Sequence, residues 1–521
     1  MFVPAFTTHV CLGAPYGWSA ISHRLTLELG MVSPAAGDWS LSQTTWPMSI
    51  MIASGGISAA VLAAWTNKVG VRRAMIMGSL MFGTGMITTS LGIMTHSLPL
   101  LYLGNVISGV GYGCAYTPPL QALIDWFPDK KGLASGLVIA GFGSGALFFT
   151  PAVNSLASYF SVMPAAVTAS SAAAGQLVQC TAGDLSRLPY PDLSPGLYMV
   201  SSGSSGLGLS LAVLGCVYSL LMLTSALSIA RPPLNHQVPG FSALKTQVSS
   251  MNVPVDNVLS TPQFWLLFST ATLLASGGMA LMSVASPLVQ DVFSSSLPAI
   301  VTPAFASAYV MTLSVANLSG RVFWAAISDK IGTRNTFNIL SLSSVPLYAS
   351  IPWLISGCVQ EKSVLYLSGF CVSSFLAVSI MGGVFSTMPP YEADLYGSKY
   401  VGANHGKFLP YSTIRGIAGP GLLLHLRNSE ESKIVDDILK TVDPAVFLSQ
   451  TGQSIEMASA MIESKTLTLS KLVSMLPPGT TDPSIFLYDS TMYSMAGLAV
   501  CASLLHYAIK PVDKKYFEKS S

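Results

Sequence analysis

The sequence predicts an all-α membrane protein with twelve transmembrane helices in two six-helix pseudo-symmetric bundles. Of its 521 residues, 51% are hydrophobic and only 9% are charged, too little charge to cover an aqueous surface. Apolar runs of about 20 residues recur about a dozen times, each long enough at ~1.5 Å per residue to cross a hydrocarbon core of about 30 Å. One charged loop also occurs twice, in equivalent places. A transmembrane barrel would instead show alternating segments of about ten residues, which the sequence lacks.

The spans are expected at 2–22, 42–65, 74–94, 98–120, 131–160, 200–229, 262–290, 303–327, 335–358, 363–389, 404–426 and 486–509. The first lacks a basic n-region, and its Pro4, Gly13, Pro15 and Gly17 suit a pore-lining helix, so it reads as a retained span rather than a cleaved signal. The expected organisation is an N-terminal bundle (1–229, with an external loop at 161–196), a cytoplasmic linker (230–261), a C-terminal bundle (262–509, with an external insertion at 427–485) and a cytoplasmic tail (510–521). The insertion contains helix-like stretches, Ile434 to Leu439 and Ile455 to Leu467. Its acidic Glu430, Glu431, Asp436 and Asp437 suit a solvated loop or a cap.

Lys and Arg set the orientation. Short loops on one side hold Lys68, Arg72, Arg73, Lys130, Lys131, Lys330, Arg334 and Lys399, and the tail adds Lys510, Lys514, Lys515 and Lys519. Short connections on the other side hold only Arg24 and Lys362. Positive residues stay inside, so both termini are expected in the cytoplasm of a multi-pass protein, with the plasma membrane ahead of an organelle membrane as its location.

Composition also argues against other functions. A net charge of +2 without an aromatic-interleaved basic stripe argues against nucleic acid. No metal cluster, nucleophile set or phosphate loop stands out, so neither an enzyme nor a cofactor is expected. Of seven cysteines, Cys11, Cys114, Cys216, Cys371 and Cys501 fall in apolar runs; Cys180 and Cys358 fall near the expected outer face, where pairing is conceivable.

The repeated loop reads Asn67-Lys68-Val69-Gly70-Val71-Arg72-Arg73 after the second span and Asp329-Lys330-Ile331-Gly332-Thr333-Arg334 after the eighth. Its spacing resembles the gate signature of the major facilitator superfamily, whose architecture is a parallel duplication of this kind. That resemblance implies a cytoplasmic gate at Asn67, Gly70, Arg72, Asp329, Gly332 and Arg334, with Asn67 standing where the family usually has Asp.

A narrower pattern runs from Gly109-Val110-Gly111-Tyr112-Gly113 through Tyr116 and Asp125-Trp126-Phe127-Pro128-Asp129-Lys130-Lys131-Gly132 to Ala140-Gly141-Phe142-Gly143-Ser144-Gly145. It resembles the oxalate:formate antiporter branch, close to the monocarboxylate transporters. On physical grounds Pro128 would stop the fourth span, Asp129 would cap the fifth, and the glycines would permit close helix contact.

The same resemblance implies two substrate-binding cations. The first is Arg321, in Asn317-Leu318-Ser319-Gly320-Arg321, eight residues from Asp329 and therefore about 12 Å deeper along a helix. An unpaired guanidinium there costs about 3 kcal/mol or more, which favours a wet cavity or an anion as its neighbour; a structural Arg bonded to carbonyls is the alternative. The second is Arg415, where the family more often has Lys. Its planar fork suits a carboxylate better than a point charge does.

Tyr16 matches the family's substrate-facing aromatic, and His9 lies two turns earlier on the same face. Tyr116 and Phe385 complete the candidate substrate-binding set. For these four, plain packing is the competing reading. The expected partners are a small organic anion, the bilayer and optionally protons, in a monomer without metal.

The function implied is alternating-access transport of a mono- or dicarboxylate such as oxalate, formate, lactate or pyruvate. Exchange is favoured because two cations repel in an empty low-dielectric site. Proton-coupled monocarboxylate symport is the alternative, although Asn317 and Ala14 or Pro15 stand where animal-type carriers have acids; His9 or His405 could carry the proton. A transporter-like nutrient receptor is the alternative from another class.

Overall fold

A computed structural model of the protein describes residues 1–127, 131–167, 176–180, 185, 188, 190, 193–230, 232–233, 252–397, 400–465, 467–477, 480 and 482–518. Most of the expected linker (231 and 234–251), Pro128, Asp129, Lys130, Lys399 and 519–521 lie outside the described residues, as do the side chains of Asn67 and 131–135.

The first expected span is broken into α1 (Phe2–Leu12), a 3-10 turn (Ala14–Gly17) and α2 (Ser19–Leu25). Pro15 supplies no N–H to continue the ladder, so the chain tightens into the turn. Next come α3 (Leu41–Val69), α4 (Val71–Met94) and α5 (Leu98–Trp126). A capping box opens α3: Gln43 N–H donates to Ser40 Oγ at 3.2 Å, and Ser40 N–H donates to Gln43 Oε1 at 2.8 Å.

The fifth span divides at Ser144 into α6 (Lys131–Gly143) and α7 (Gly145–Phe160), and the sixth is α8 (Leu207–Ser228). After the short α9 (Val255–Val258), the seventh divides at Val284 into α10 (Pro262–Ser283) and α11 (Ala285–Phe293). Three unbroken helices follow: α12 (Pro303–Ile331), α13 (Thr333–Glu361) and α14 (Val364–Tyr396). The eleventh divides at Leu409 into α15 (Val401–Phe408) and α16 (Pro410–Thr441), and the twelfth is α20 (Asp489–Tyr507).

Among the described residues, ten helices are long and apolar enough to cross a membrane. The other two expected crossings fall outside that set for local reasons. The first is cut into short pieces, and α16 is lowered in hydropathy by Arg415 and by the charged stretch from Arg427 onward.

Two features of the loops go beyond the sequence expectation. Across the segment expected as an external loop (161–196) and the three residues after it, β1 (Ala166–Val167), β3 (Gly196–Met199) and β2 (Leu177–Cys180) form an antiparallel sheet in the order β1-β3-β2, with Tyr198 opposite both Ala166 and Val178. Its Val178, Cys180 and Tyr198 bury against Val32 and Ala35. The expected insertion at 427–485 is largely helical. It begins as an unbroken continuation of α16 and goes on through α17 (Pro444–Thr451), α18 (Ala458–Glu463) and α19 (Leu469–Val473).

Three of the insertion's acids stand on a helix face in local pairs: Glu431 with Arg427 at 2.8 Å, Glu430 with Lys433 at 3.0 Å and Asp437 with Lys440 at 2.9 Å. Cys180 and Cys358 are not joined in a disulfide; Cys358 sits in the main core and Cys180 on the buried face of β2.

The insertion, the sheet and the 26–40 loop share one face, tied by Ser205 Oγ donating to Glu28 Oε2 and Lys465 Nζ donating to the Asp38 carbonyl. The first and second halves meet across α3 and α16, α6 and α7 with α12, and α2 with α11. Toward the insertion face Asn428 donates to Ser42 at 2.9 Å and Asn154 to Ser307 at 3.0 Å, while deeper in the protein Ser314 Oγ donates to the Gly143 carbonyl at 2.7 Å.

Candidate functional site

The breaks in the first and fifth spans meet. A Cβ on Gly13 would lie 2.2 Å from the Phe142 carbonyl oxygen, and one on Gly145 would lie 2.1 Å from the Gly13 carbonyl carbon. Only glycine lets the broken first span touch the broken fifth here. Gly143 sits against α12 in the same way, where a Cβ would come within 3.2 Å of both Leu318 Cα and Arg321 Nε. These contacts bring Tyr16, Phe142 and Arg321 together.

Arg321 is 1% exposed, and so is Arg415. Arg321 Nε donates to Asn317 Oδ1, one turn earlier, at 3.1 Å, whereas its Nη1 and Nη2 are buried without a hydrogen-bond partner. Arg415 reaches the Sδ atoms of Met279 and Met381, each at 3.5 Å, and Ser412 Oγ at 3.3 Å, and its Nε has no partner. Sulfur and hydroxyl acceptors leave its charge uncompensated.

One ring links the two cations. The Cζ of Arg321 lies 4.8 Å from the centroid of Phe385 and that of Arg415 lies 4.3 Å from it, while Arg321 is also 5.8 Å from Phe142. Ring faces supply negative potential, so Phe385 relieves part of the repulsion between the cations.

On the other side an aromatic wall forms around Phe142. Tyr16 meets it edge-on at 5.1 Å, Tyr112 lies at 5.6 Å and Tyr116 at 5.8 Å; His9 packs on Tyr116 at 5.1 Å. His9 Nδ1 bonds the Ala5 carbonyl at 2.9 Å, and its Nε2 is buried and unpartnered. The hydroxyls of Tyr16 and Tyr411 are likewise buried without partners. Buried polar atoms rarely stay unbonded, so this cluster of orphaned groups is chemically unusual.

The structure therefore brings together Arg321, Arg415, Tyr16, His9, Tyr116 and Phe385. Phe142, Tyr112 and Tyr411 pack among them and were not in the expected set. Tyr411 was detectable as the residue one turn before Arg415, on the same helix face. Its ring lies 5.5 Å from Phe385, and both guanidiniums act electrostatically on Tyr112, Tyr116 and Tyr411.

The expected gate residues lie at the opposite face from the insertion. Gly70 and Gly332 occupy equivalent turns with φ of 84° and 85°, a backbone conformation that favours glycine. Arg72, Asp329 and Arg334 are exposed. Thr333 Oγ1 donates to Asp394 Oδ2 at 2.6 Å, tying the start of α13 to the end of α14. Nearby, Glu392 is fully buried and pairs with His405 Nδ1 at 3.0 Å.

Comparison with known proteins agrees with this architecture. The Major Facilitator Superfamily profile matches residues 9–179. The chain is 24% identical over 417 residues to the oxalate:formate antiporter of Oxalobacter formigenes, covering 79% of this chain and 80% of that protein. It is 24% identical over 459 residues to apicoplast pyruvate carrier 1 of Toxoplasma gondii, covering 76% and 78%. Monocarboxylate transporter 12 of Mus musculus shares 31% identity over 121 residues, covering 23% and 24%.

Among solved structures, an inward-facing, unoccupied bacterial homolog of the human lysosomal transporter Spinster superposes with a TM-score of 0.61 at 13% identity, over 97% of this chain and 95% of that one. The xylose transporter XylE of E. coli, partially occluded and inward open, gives 0.55 at 12% identity, over 99% and 98%.

Proposed function

We propose that this chain, a major facilitator superfamily transporter resembling the oxalate:formate antiporter and monocarboxylate transporter branch, moves a small organic anion by alternating access, with the anion held between Arg321 and Arg415. The observation that carries this reading is the pair of buried guanidiniums sharing Phe385, with Arg321 Nη1 and Nη2 unpartnered. A carboxylate accepts two parallel N–H bonds from such a fork and neutralises its charge. A second carboxylate or a polar group can then engage Arg415.

Tyr16 and Tyr411 offer hydroxyl donors to the same anion, and His9, Tyr116 and Phe385 shape the wall around it. The relatives named for oxalate, formate, pyruvate and monocarboxylates support this substrate class. Exchange follows from charge. With no anion bound, two cations face each other in low dielectric, which raises the cost of reorienting the empty carrier. The gate turns at Gly70 and Gly332, with Arg72, Asp329 and Arg334, would act as the latch at the face that carries the termini.

The test is uptake and exchange in proteoliposomes against a panel of mono- and dicarboxylates, comparing the parent with Arg321→Gln and Arg415→Gln. Loss in both variants supports the two-cation site. Normal transport by both rejects it.

The Glu392 and His405 pair favours a second reading, proton-coupled symport. Its titratable carboxylate is fully buried, and it acts electrostatically on Tyr411, one turn from Arg415. Uptake that acidifies the lumen in proportion to substrate and persists without internal anion would select this reading over exchange. Glu392→Gln should then remove the proton flux.

A further inference from the structure

A polar vestibule runs beneath the insertion toward the centre of the protein. Its outer part is lined by Asp291, Arg427, Glu431 and Asp482, and its inner part by Arg24, Ser286 and Gln290. His23, Leu27 and Leu188 line both parts, so the two adjoin along that wall, the outer part with about 350 Å³ of space and the inner narrowing to about 20 Å³.

The charges of the outer part are already committed. Arg427 donates to Asp291 at 3.2 Å and to Glu431 at 2.8 Å, and Tyr488 adds its hydroxyl to Asp291 at 3.0 Å. Asp482 accepts from Ser484 N–H at 2.9 Å and from Ser295 at 3.3 Å.

Arg24 differs. Among the described residues it has no ion-pair or hydrogen-bond partner, and Tyr190 is the group that acts on it electrostatically. The carboxyl one turn along the chain, Glu28, accepts instead from Ser205, and burial pushes it up to about 7. Arg24 therefore presents positive charge to a cavity with the neutral polar side chains of Ser286 and Gln290 on its far wall. It lies eight residues beyond Tyr16 on the same span, roughly 12 Å along a helical path.

We infer that Arg24 is a second anion-binding position, where a small carboxylate arriving through the vestibule under the insertion is held before it reaches Arg321 and Arg415. This rests on the reading of those two residues as the central anion site. A cation in a narrow, low-dielectric channel concentrates anions locally. One cation also holds an anion less tightly than two, so the anion can move inward rather than remain trapped, as conduction through successive sites requires.

The local charge can be read without knowing the substrate. Leu27→Cys places a thiol on the vestibule wall in the full-length protein, and its rate of reaction is measured with anionic and cationic methanethiosulfonate reagents, with unmodified parent protein as background. Adding Arg24→Gln should lower the anionic-to-cationic rate ratio about five-fold, since removing one charge a few ångströms away changes the two rates in opposite directions. Arg24→Lys should keep the ratio. An unchanged ratio in Arg24→Gln overturns the proposal.

A second measurement needs no change at Arg24. Oxalate should slow labelling of Leu27→Cys by a neutral maleimide, and it should do so even when Arg321→Gln has disabled the central site. Oxalate that fails to protect Leu27→Cys also overturns the proposal. Absence of oxalate and pyruvate exchange in the parent instead counts against the central reading, and the labelling ratio still decides the role of Arg24.

Discussion

Arg321 and Arg415 lie over the same aromatic ring, with their guanidinium carbons 4.8 Å and 4.3 Å from the centroid of Phe385. Two like charges in a buried site stay together only if something between them lowers their repulsion. Phe385 does so while offering no lone pair to compete with an incoming carboxylate.

Phe385→Leu should therefore weaken anion binding. Each cation–π contact that holds a guanidinium in place is worth about 1 kcal/mol, so losing both should raise KM for exchange by up to about thirty-fold, while Phe385→Tyr should change it little. Initial-rate exchange kinetics check this. An unchanged KM in the leucine variant would mean that the ring only fills space.

Asn317 holds Arg321 through a neutral amide oxygen at 3.1 Å. Asn317→Asp puts a carboxylate in that place and satisfies the cation internally. Exchange at pH 7 should fall by at least about ten-fold, and lowering the pH should restore it only below the ordinary carboxylate range, because the guanidinium keeps Asp ionised. Asn317→Ala should cost much less. A parent-like Asn317→Asp would show that Arg321 does not meet the substrate.

The glycine contact between the first and fifth spans makes a structural prediction. Gly13→Ala would force a methyl to 2.2 Å from a backbone carbonyl oxygen, which neither helix can relieve by a rotamer change. A loss of about 1–3 kcal/mol is expected from overpacking. Thermal melting in detergent should show a lower midpoint for Gly13→Ala than for Gly497→Ala, where a Cβ meets open space.

Glu28 makes a pH prediction at the insertion face. Burial raises its carboxyl from 4.5 to about 7, against the smaller opposing effect of the Ser205 hydrogen bond. The folded protein then binds the proton more tightly than the unfolded chain. The stabilisation is complete in acid and is lost as pH rises from about 4.5 towards 7. Melting midpoints of the parent relative to Glu28→Gln should fall across that window, and a flat difference would place Glu28 in contact with water.

Much of this arrangement was legible in the sequence. Arg321 and Arg415 stand out because a guanidinium in an apolar run needs an explanation, and the paired gate turns stand out because the same short pattern occurs twice. Tyr16 and Phe385 were legible as candidate members of the substrate set, but the sharing of Phe385 by both guanidiniums and the edge-on contact of Tyr16 with Phe142 were not. Phe142 was hidden inside a glycine-rich run whose evident purpose was close packing. Its role depends on which rings of other helices reach it, and helical periodicity within one segment carries no such information. The helix-like stretch Ile434 to Leu439 was legible, but its unbroken continuation from the eleventh span through 427–433 was obscured because the charged residues there suggested a solvated loop, although their i, i+3 and i, i+4 spacing also suits a helix.

The sequence alone determined the solvent of this protein, the course of its long apolar spans and the identity of its two most deeply buried arginines, because hydrophobic run length and isolated charge are local properties. Only the tertiary structure decided that those cations share Phe385, that the first and fifth spans break where they touch, and that the insertion roofs a vestibule ending at Arg24. These are contacts between segments distant in sequence, governed by close packing and by electrostatics across a few ångströms, and they arise only when the helices are assembled.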